Sequence, residues 1–517
     1  MLMKATGTRR WWALGGVTLA VLAVGMDLTV LSVALPTLAG ALKASESDLQ
    51  WFSSGYALVL AAAMLPAGLL GDRYGRKKVM LCSLALFATG SLACAYARSP
   101  AQFIVARAVL GLAGAGLVVM AVSALAVLFS EQERPKAIGI WAAANMVAFP
   151  IGPILGGWLL SHYWWGWVFL MNVPVSLLGF VAVAALVPES AAAVRPGIDG
   201  TGMLSSSAGL MGVTYGLIQA GQRGWGSVGA LVPLLIGLTA VGVFLWWEHL
   251  LERRPGGQPL VDLSLFRSPS FTWGVILFAV LTLALVGLLF TMPQYFQAVM
   301  GTSPEGSGLR LMPVVGGMLV GLVPAARLVK AIGAKFAAAA GFVVLGTGLA
   351  IASTTTLSSG EGFIAACTAI VGMGAGLTMA TVASAALAEL SVEKAGVGSA
   401  VLQALKTTGA PLGSAILGSA LISAYVGRLR LGGLSSVDAH NVRQSVFGGI
   451  AVAHALRSPA LLTSVRAAFV HGTDIAFLVS VGFALIGLAL SLFFLPAHAR
   501  ATAGTEEVIP GGGRVAA

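Results

Sequence analysis

Three groups of residues in this 517-residue chain combine types and spacings that suit chemistry. Asp27 sits with Thr29 and Ser32 in "AVGMDLTVLSVALP" (23–36), inside an otherwise apolar run. It lies about fifteen residues into that run, roughly 22 Å along a helix at 1.5 Å per residue. An ionisable group at such depth is expensive and is read first as functional. Burial penalises its charged form, so Asp27 suits reversible proton binding, or cation binding if a cavity reaches it. The plainer alternative is an aspartate hydrogen-bonded to a neighbouring helix for packing. Arg107, in "FIVARAVLGLAGAG", is the second candidate; snorkelling to the interface is its plain alternative. The third is "GLLGDRYGRKKVM" (68–80), where four cations and Asp72 surround Gly71 and Gly75.

Weaker candidates surround these. Tyr56, Asn145, Gln294 and Gln297 are polar residues in apolar runs that could line a cavity. Gly152, Pro153, Gly156 and Gly157 permit close backbone approach and a kink, or ordinary helix packing. Asp474 reads as a helix N-cap favoured by the dipole, Lys406 as a snorkelling cation, and Trp164, Trp165 and Trp167 as an interfacial cluster.

The elements that must position these groups are helices. The chain is 57% apolar and 9% charged, and long apolar stretches recur near the roughly 20 residues a helix needs to span hydrocarbon. Strand-like alternation is absent, which argues against a barrel. The apolar runs predict fourteen helices: 12–39, 50–70, 79–97, 101–128, 137–160, 167–187, 203–220, 228–250, 271–297, 308–329, 335–355, 363–388, 396–425 and 474–496. The basic start "MLMKATGTRRWW" precedes a run too long for a signal-peptide core, so it reads as a retained first helix. An even count puts both termini on one side. "GDRYGRKK", "EQERPK", "EHLLERRPGG" and "RLVKAIGAK" then share the side of the N-terminus, as cytoplasmic loops do. Residues 426–470, with five arginines, read as an extracellular loop and are the exception.

The net charge of +11 follows from this topology without a nucleic-acid partner. Three cysteines in apolar runs and six scattered histidines imply neither disulfides nor a metal site. GxxxxGK[ST], HExxH and GxSxG are absent, so no ATP hydrolysis, catalytic triad or cofactor is expected. The chain also repeats itself. "GAGLVVMAVSALA" (114–126) matches "GAGLTMATVASAALA" (374–388), and "IGPILGG" (151–157) echoes "GAPLGSAILG" (409–418), both about 260 residues apart. Helices 1–6 thus correspond to helices 9–14, and helices 7 and 8 form an insert. In the second half Cys367 falls opposite Arg107, while "ARLVKAIGAK" keeps Gly333 but has Lys330 opposite Asp72.

Together these motifs resemble the major facilitator superfamily, in particular its fourteen-helix drug:proton antiporter branch. Gly68, Leu70, Asp72, Arg73, Gly75, Arg76 and Lys77 match the loop signature G-x-L-x-D-R-x-G-R-K. Asp27, Thr29, Ala34, Leu35 and Pro36 match the branch's first-helix signature, and Arg107 with Gly111 fits R-x-x-x-G, with Leu110 in place of glutamine. Gly139, Gly152, Pro153, Gly156 and Gly157 fit the fifth-helix antiporter signature, with Ala148 replacing one glycine. "WWGWVFLMNVP" is similar to W-R-W-x-F-x-x-N-x-P, with Gly166 for the arginine, and "QPLVDLSLF" precedes helix 9 as in the family.

The resemblance implies two six-helix bundles and export of small lipophilic, often cationic molecules in exchange for protons. Asp27 would bind a proton or cationic substrate in the central cavity, with Arg107 tuning it. Asp72, Arg73 and Arg76 would latch the halves at the inner face, and the fifth-helix glycines would allow sliding and bending. The expected organisation is an N-terminal bundle (1–190), a two-helix insert (191–255), a C-terminal bundle (256–500) and a cytoplasmic tail (501–517). The expected partners are a small-molecule substrate, protons and membrane lipids, in the inner membrane, with a functional monomer as the working unit. A proton-coupled carrier of one metabolite or natural product is the alternative; a membrane-embedded enzyme or channel is remote, for lack of a nucleophile, base or metal cluster.

Overall fold

The computed structural model describes residues 8–129, 133–190, 199–254, 259–260, 263–387 and 392–496. Among them the chain is helical, with no strand. The N-terminal half comprises α1 (Thr8–Leu42), α2 (Glu46–Tyr74), α3 (Arg76–Ala95), α4 (Pro100–Leu128), α5 (Arg134–His162), α6 (Trp167–Leu170) and α7 (Asn172–Leu186). The insert is α8 (Gly200–Arg223) and α9 (Val228–Arg253). The C-terminal half comprises α10 (Pro269–Ala298), α11 (Pro304–Leu309), α12 (Met312–Ala352), α13 (Glu361–Leu387), α14 (Val392–Arg428), α15 (Ser436–Gln444), α16 (Val446–Ala455) and α17 (Pro459–Phe494). Nine helices among the described residues are long and apolar enough to cross a membrane, ten with the bent pair of α2 counted as one. Each of the fourteen expected segments lies on helix, two of them on α12, where Gly333 interrupts the helical geometry.

Local chemistry explains the breaks. Ser45 and Asp48 form a reciprocal capping box that starts α2. Gly75 takes φ 114° between α2 and α3, and Gly333 takes φ 83° at the corresponding place in the second half. Both values are in the region that favours glycine, so the loop between helices 2 and 3 and its repeat share a backbone device as well as a sequence. Two hydrophobic cores form, one for each half. The first joins α1 to α4 and α7, the second α10 to α13 and α17, and Phe290 and Val33 each cross into the opposite core. The insert touches both halves, through the Trp51–Tyr215 ring contact and the bond from Ser419 Oγ to the Leu217 carbonyl at 2.9 Å.

Two expectations fail at the C-terminal end. Much of 426–470 is helical, as α15, α16 and the start of α17, rather than loop. Asp474 therefore does not cap a helix: Ser458 caps α17, accepting from Leu461 N, and Asp474 lies well inside it with Oδ1 buried and unpartnered. The polar stretch can continue as helix because neighbours satisfy it; Arg466 Nε, for one, donates to the Ala298 carbonyl at 2.9 Å.

Candidate functional site

On α1, residues Ala20, Val24, Asp27, Leu31 and Leu38 recur at helical spacing and are all buried. Asp27 therefore points into its own bundle. There Arg107 Nη1 on α4 donates to Asp27 Oδ2, and Asn172 Nδ2 on α7 donates to Asp27 Oδ1 at 3.1 Å. Both charged side chains are sealed, Asp27 at 0% and Arg107 at 1% exposure. Arg107 also donates from Nε to the Phe52 carbonyl at 3.2 Å, and its guanidinium lies 4.2 Å from the centroid of the Tyr56 ring. It does not snorkel. Gly111, one turn along α4, makes this possible: a Cβ there would stand 2.5 Å from the Tyr56 carbonyl, so only glycine lets α4 close on α2.

The neighbouring face of α1 looks elsewhere. Leu28, Thr29 and Ser32 line a cavity completed by Pro153 of α5, Leu289 of α10, and Met312 and Val315 of α12. It lies between the halves and is mainly apolar. Its hydroxyls are turned back onto α1, Thr29 Oγ1 to the Met26 carbonyl at 3.2 Å and Ser32 Oγ to the Thr29 carbonyl at 2.7 Å. Asp27 does not line this cavity. One residue of rotation, about 100° on a helix, separates the ion pair from the cavity wall.

The fifth-helix signature has two faces. A Cβ at Gly152 would stand 2.9 Å from the Met26 carbonyl, and one at Gly156 would strike Val30, so α5 sits directly on α1 beside Asp27. On the other face, a Cβ at Gly157 would stand 2.7 Å from the Pro304 carbonyl, and one at Gly308 would stand 2.3 Å from the Pro153 carbonyl. Here α5 meets α11 of the second half backbone to backbone. Gln297 Nε2 donates to the Val33 carbonyl at 3.1 Å across the same seam, and Gln294 Nε2 reaches Glu46 Oε1 at 3.5 Å. These contacts lie toward the end of the bundle remote from residue 8.

At the opposite end, Arg76 pairs with Asp72 at 2.8 Å, and Arg73 lies over the Tyr74 ring. Arg76 N donates to the Ser190 carbonyl at 2.8 Å and Lys77 N to Glu189 Oε1 at 3.1 Å. This docks the loop on the end of its own half. A Cβ at Gly75 would stand 2.6 Å from Glu189, whereas one at Gly68 would meet only Val119 at ordinary contact distance.

The structure thus joins Asp27, Arg107 and Tyr56, and sets Thr29 on the cavity. Gln294 and Gln297 fall on the seam between the halves, not on the described cavity. Asn145, Gly139 and Lys406 lie outside the residues whose side chains are described. Asn172 was not singled out, although "WWGWVFLMNVP" carried it. Two further acids are buried within helices, Asp474 through Oδ1 inside α17 and Glu248 near the end of α9.

Two helical bundles that meet along a seam, with a cavity between them and a sealed ion pair against its wall, define a membrane transporter. The family model for the Major Facilitator Superfamily matches residues 17–414. The chain belongs to that superfamily. It is 30% identical to the tetracenomycin C resistance and export protein of Streptomyces glaucescens, over 97% of this chain and 95% of that one. It is 31% identical to the multidrug efflux pump LfrA of Mycolicibacterium smegmatis, over 94% and 97%. Among solved structures it shares the fold of a bacterial homologue of the human lysosomal transporter Spinster, at TM-score 0.66 and 16% identity, over 94% of this chain and 97% of that chain.

Proposed function

We propose that this protein exports small lipophilic drugs or antibiotics across the inner membrane in exchange for protons, by alternating access. The relatives named for antibiotic export and multidrug efflux, aligned over nearly their whole length, support the substrate class. The observation that carries the coupling is the position of Asp27, one residue from Leu28 on the cavity wall yet bonded to Arg107. Drug and proton need not share a charge. Drug binds against Leu28, Thr29 and Leu289. A proton arriving at Asp27 cancels the attraction that holds α1 to α4, and α1 carries the change to the cavity and, through Gly152, to α5. The distribution of Lys and Arg supports cytoplasmic termini, which makes the seam of α5 and α11 the outer gate. Asp72, Arg73, Gly75 and Arg76 then act as the inner latch when the cavity opens outward.

Purified protein in proteoliposomes, with a fluorescent lipophilic cation and an imposed pH gradient, tests this. Wild type is expected to move the dye against its gradient, and Asp27→Asn only down it. Unchanged gradient-driven transport in Asp27→Asn removes Asp27 from the coupling. No movement of any dye in a broad panel rejects the drug class.

A further inference from the structure

The outer seam buries a carboxylate that this mechanism does not use. Glu46 is the first residue of α2 and is 1% exposed. Its environment comes from both halves. From α10, Gln294, itself 0% exposed, offers Nε2 at 3.5 Å, a donor shared with the Phe290 carbonyl at 3.2 Å. From α14, the Tyr425 phenol lies within range of its charge but donates to the Val442 carbonyl at 2.7 Å. One turn along α2, Gln50 is pressed against Gly418 of α14, where a Cβ would stand 2.8 Å from its side chain. The other nearby charges are turned away. Asp48 is bound back to Ser45, and Lys43 is exposed and forms no ion pair with Glu46 among the described residues.

The helix N-terminus favours a charge at this position, but sealing a carboxylate from water beside one shared amide, with no ion-pair partner among the described residues, disfavours it more, whereas the neutral acid is tolerated. The partners that seal it sit on the opposite half, so parting the halves at this end returns Glu46 to the outer medium. We propose that Glu46 binds a proton from the outside each time the outer gate closes, and gives it back to the same side when the gate opens. This rests on the alternating-access reading and adds a role to it. The proton never reaches the inner face, so external acidity favours closure without adding to the protons transported. Asp27, buried in one half between α1, α4 and α7, lacks this dependence on the seam.

The test is the distance between spin labels at Arg98→Cys and Val437→Cys, exposed sites at the outer ends of the two halves, with the exposed Cys82 replaced. Double electron–electron resonance in lipid nanodiscs is run from acid to alkaline pH without substrate. Wild type is expected to pass from the short to the long distance as pH rises, with the closed-to-open ratio falling by up to about tenfold per pH unit, the limit for one proton. Glu46→Gln is expected to stay closed with that slope lost. Gln294→Lys supplies the missing cation and is expected to stay closed to higher pH, which provides a reading if Glu46→Gln folds poorly. A wild-type distance indifferent to pH, a wild-type slope in Glu46→Gln, an unchanged profile in Gln294→Lys, or a slope abolished only by Asp27→Asn each overturns the proposal. Because no drug is present, a pH-driven shift with no dye transport would keep this inference and reject the substrate class.

Discussion

Arg107 is held by three groups at once, the Asp27 carboxylate, the Phe52 carbonyl and the face of Tyr56. Removing one member of a sealed ion pair strands the other charge without water, at a cost of about 3–5 kcal/mol. Asp27→Leu strands the guanidinium; Arg107→Met strands the carboxylate, with Asn172 as its remaining donor. Each single variant is therefore expected to lose about 3–5 kcal/mol. The double variant, which removes both charges and fills similar volume, is expected to lose at least about 2 kcal/mol less than the sum of the two. Asp27→Asn, which can keep a hydrogen bond to Arg107, should fall between wild type and Asp27→Leu. Unfolding free energies from detergent titration in mixed micelles read all four values. Additive single and double variants would refute the claim that the two residues act as one buried unit. So would an Arg107→Met protein as stable as wild type.

Two further outcomes follow from contacts elsewhere. Gly308→Val places carbon where the Pro153 carbonyl already stands, so the α5–α11 seam should stay parted, and with Cys82 replaced a cysteine at the buried Ser307 should react faster with a membrane-impermeant maleimide than in the protein with Gly308. Tyr56→Phe keeps the ring under Arg107 but removes a buried hydroxyl that has no hydrogen-bond partner, so it should leave stability unchanged or raise it by up to about 1 kcal/mol in the same titration.

Hydropathy and the absence of strand-like alternation made the helices legible, because a backbone in a bilayer is satisfied only within helices or a closed barrel. The 260-residue repeat was read from the sequence too, and Gly75 and Gly333, at corresponding places in it, both take a positive φ. Asp27 and Arg107 stood out in the sequence as charges too costly to be idle. What joined them was not visible there. Their separation of 80 residues says nothing of which helix faces meet, and a rotation of one residue would have put Asp27 on the cavity in place of Leu28.

The same limit hid the remaining surprises. Glu46 was not singled out in the sequence, and it becomes a sealed group only when α10 of the other half docks on the start of α2. Asp474 reads as a cap because the polar residues before it suggest a loop, yet bonds such as that from Arg466 to Ala298 let α17 begin fifteen residues earlier, at Pro459. Gln294 and Gln297 read as cavity residues, and the docking of the halves gives them partners across the seam, Glu46 and the Val33 carbonyl. Hydropathy, charge and glycine spacing are local, so composition and order already carried the helices, the repeat and the residues worth watching. Pairing, burial and the division between seam, cavity and sealed core depend on the rotation and docking of whole helices, and those are settled only when the two halves pack.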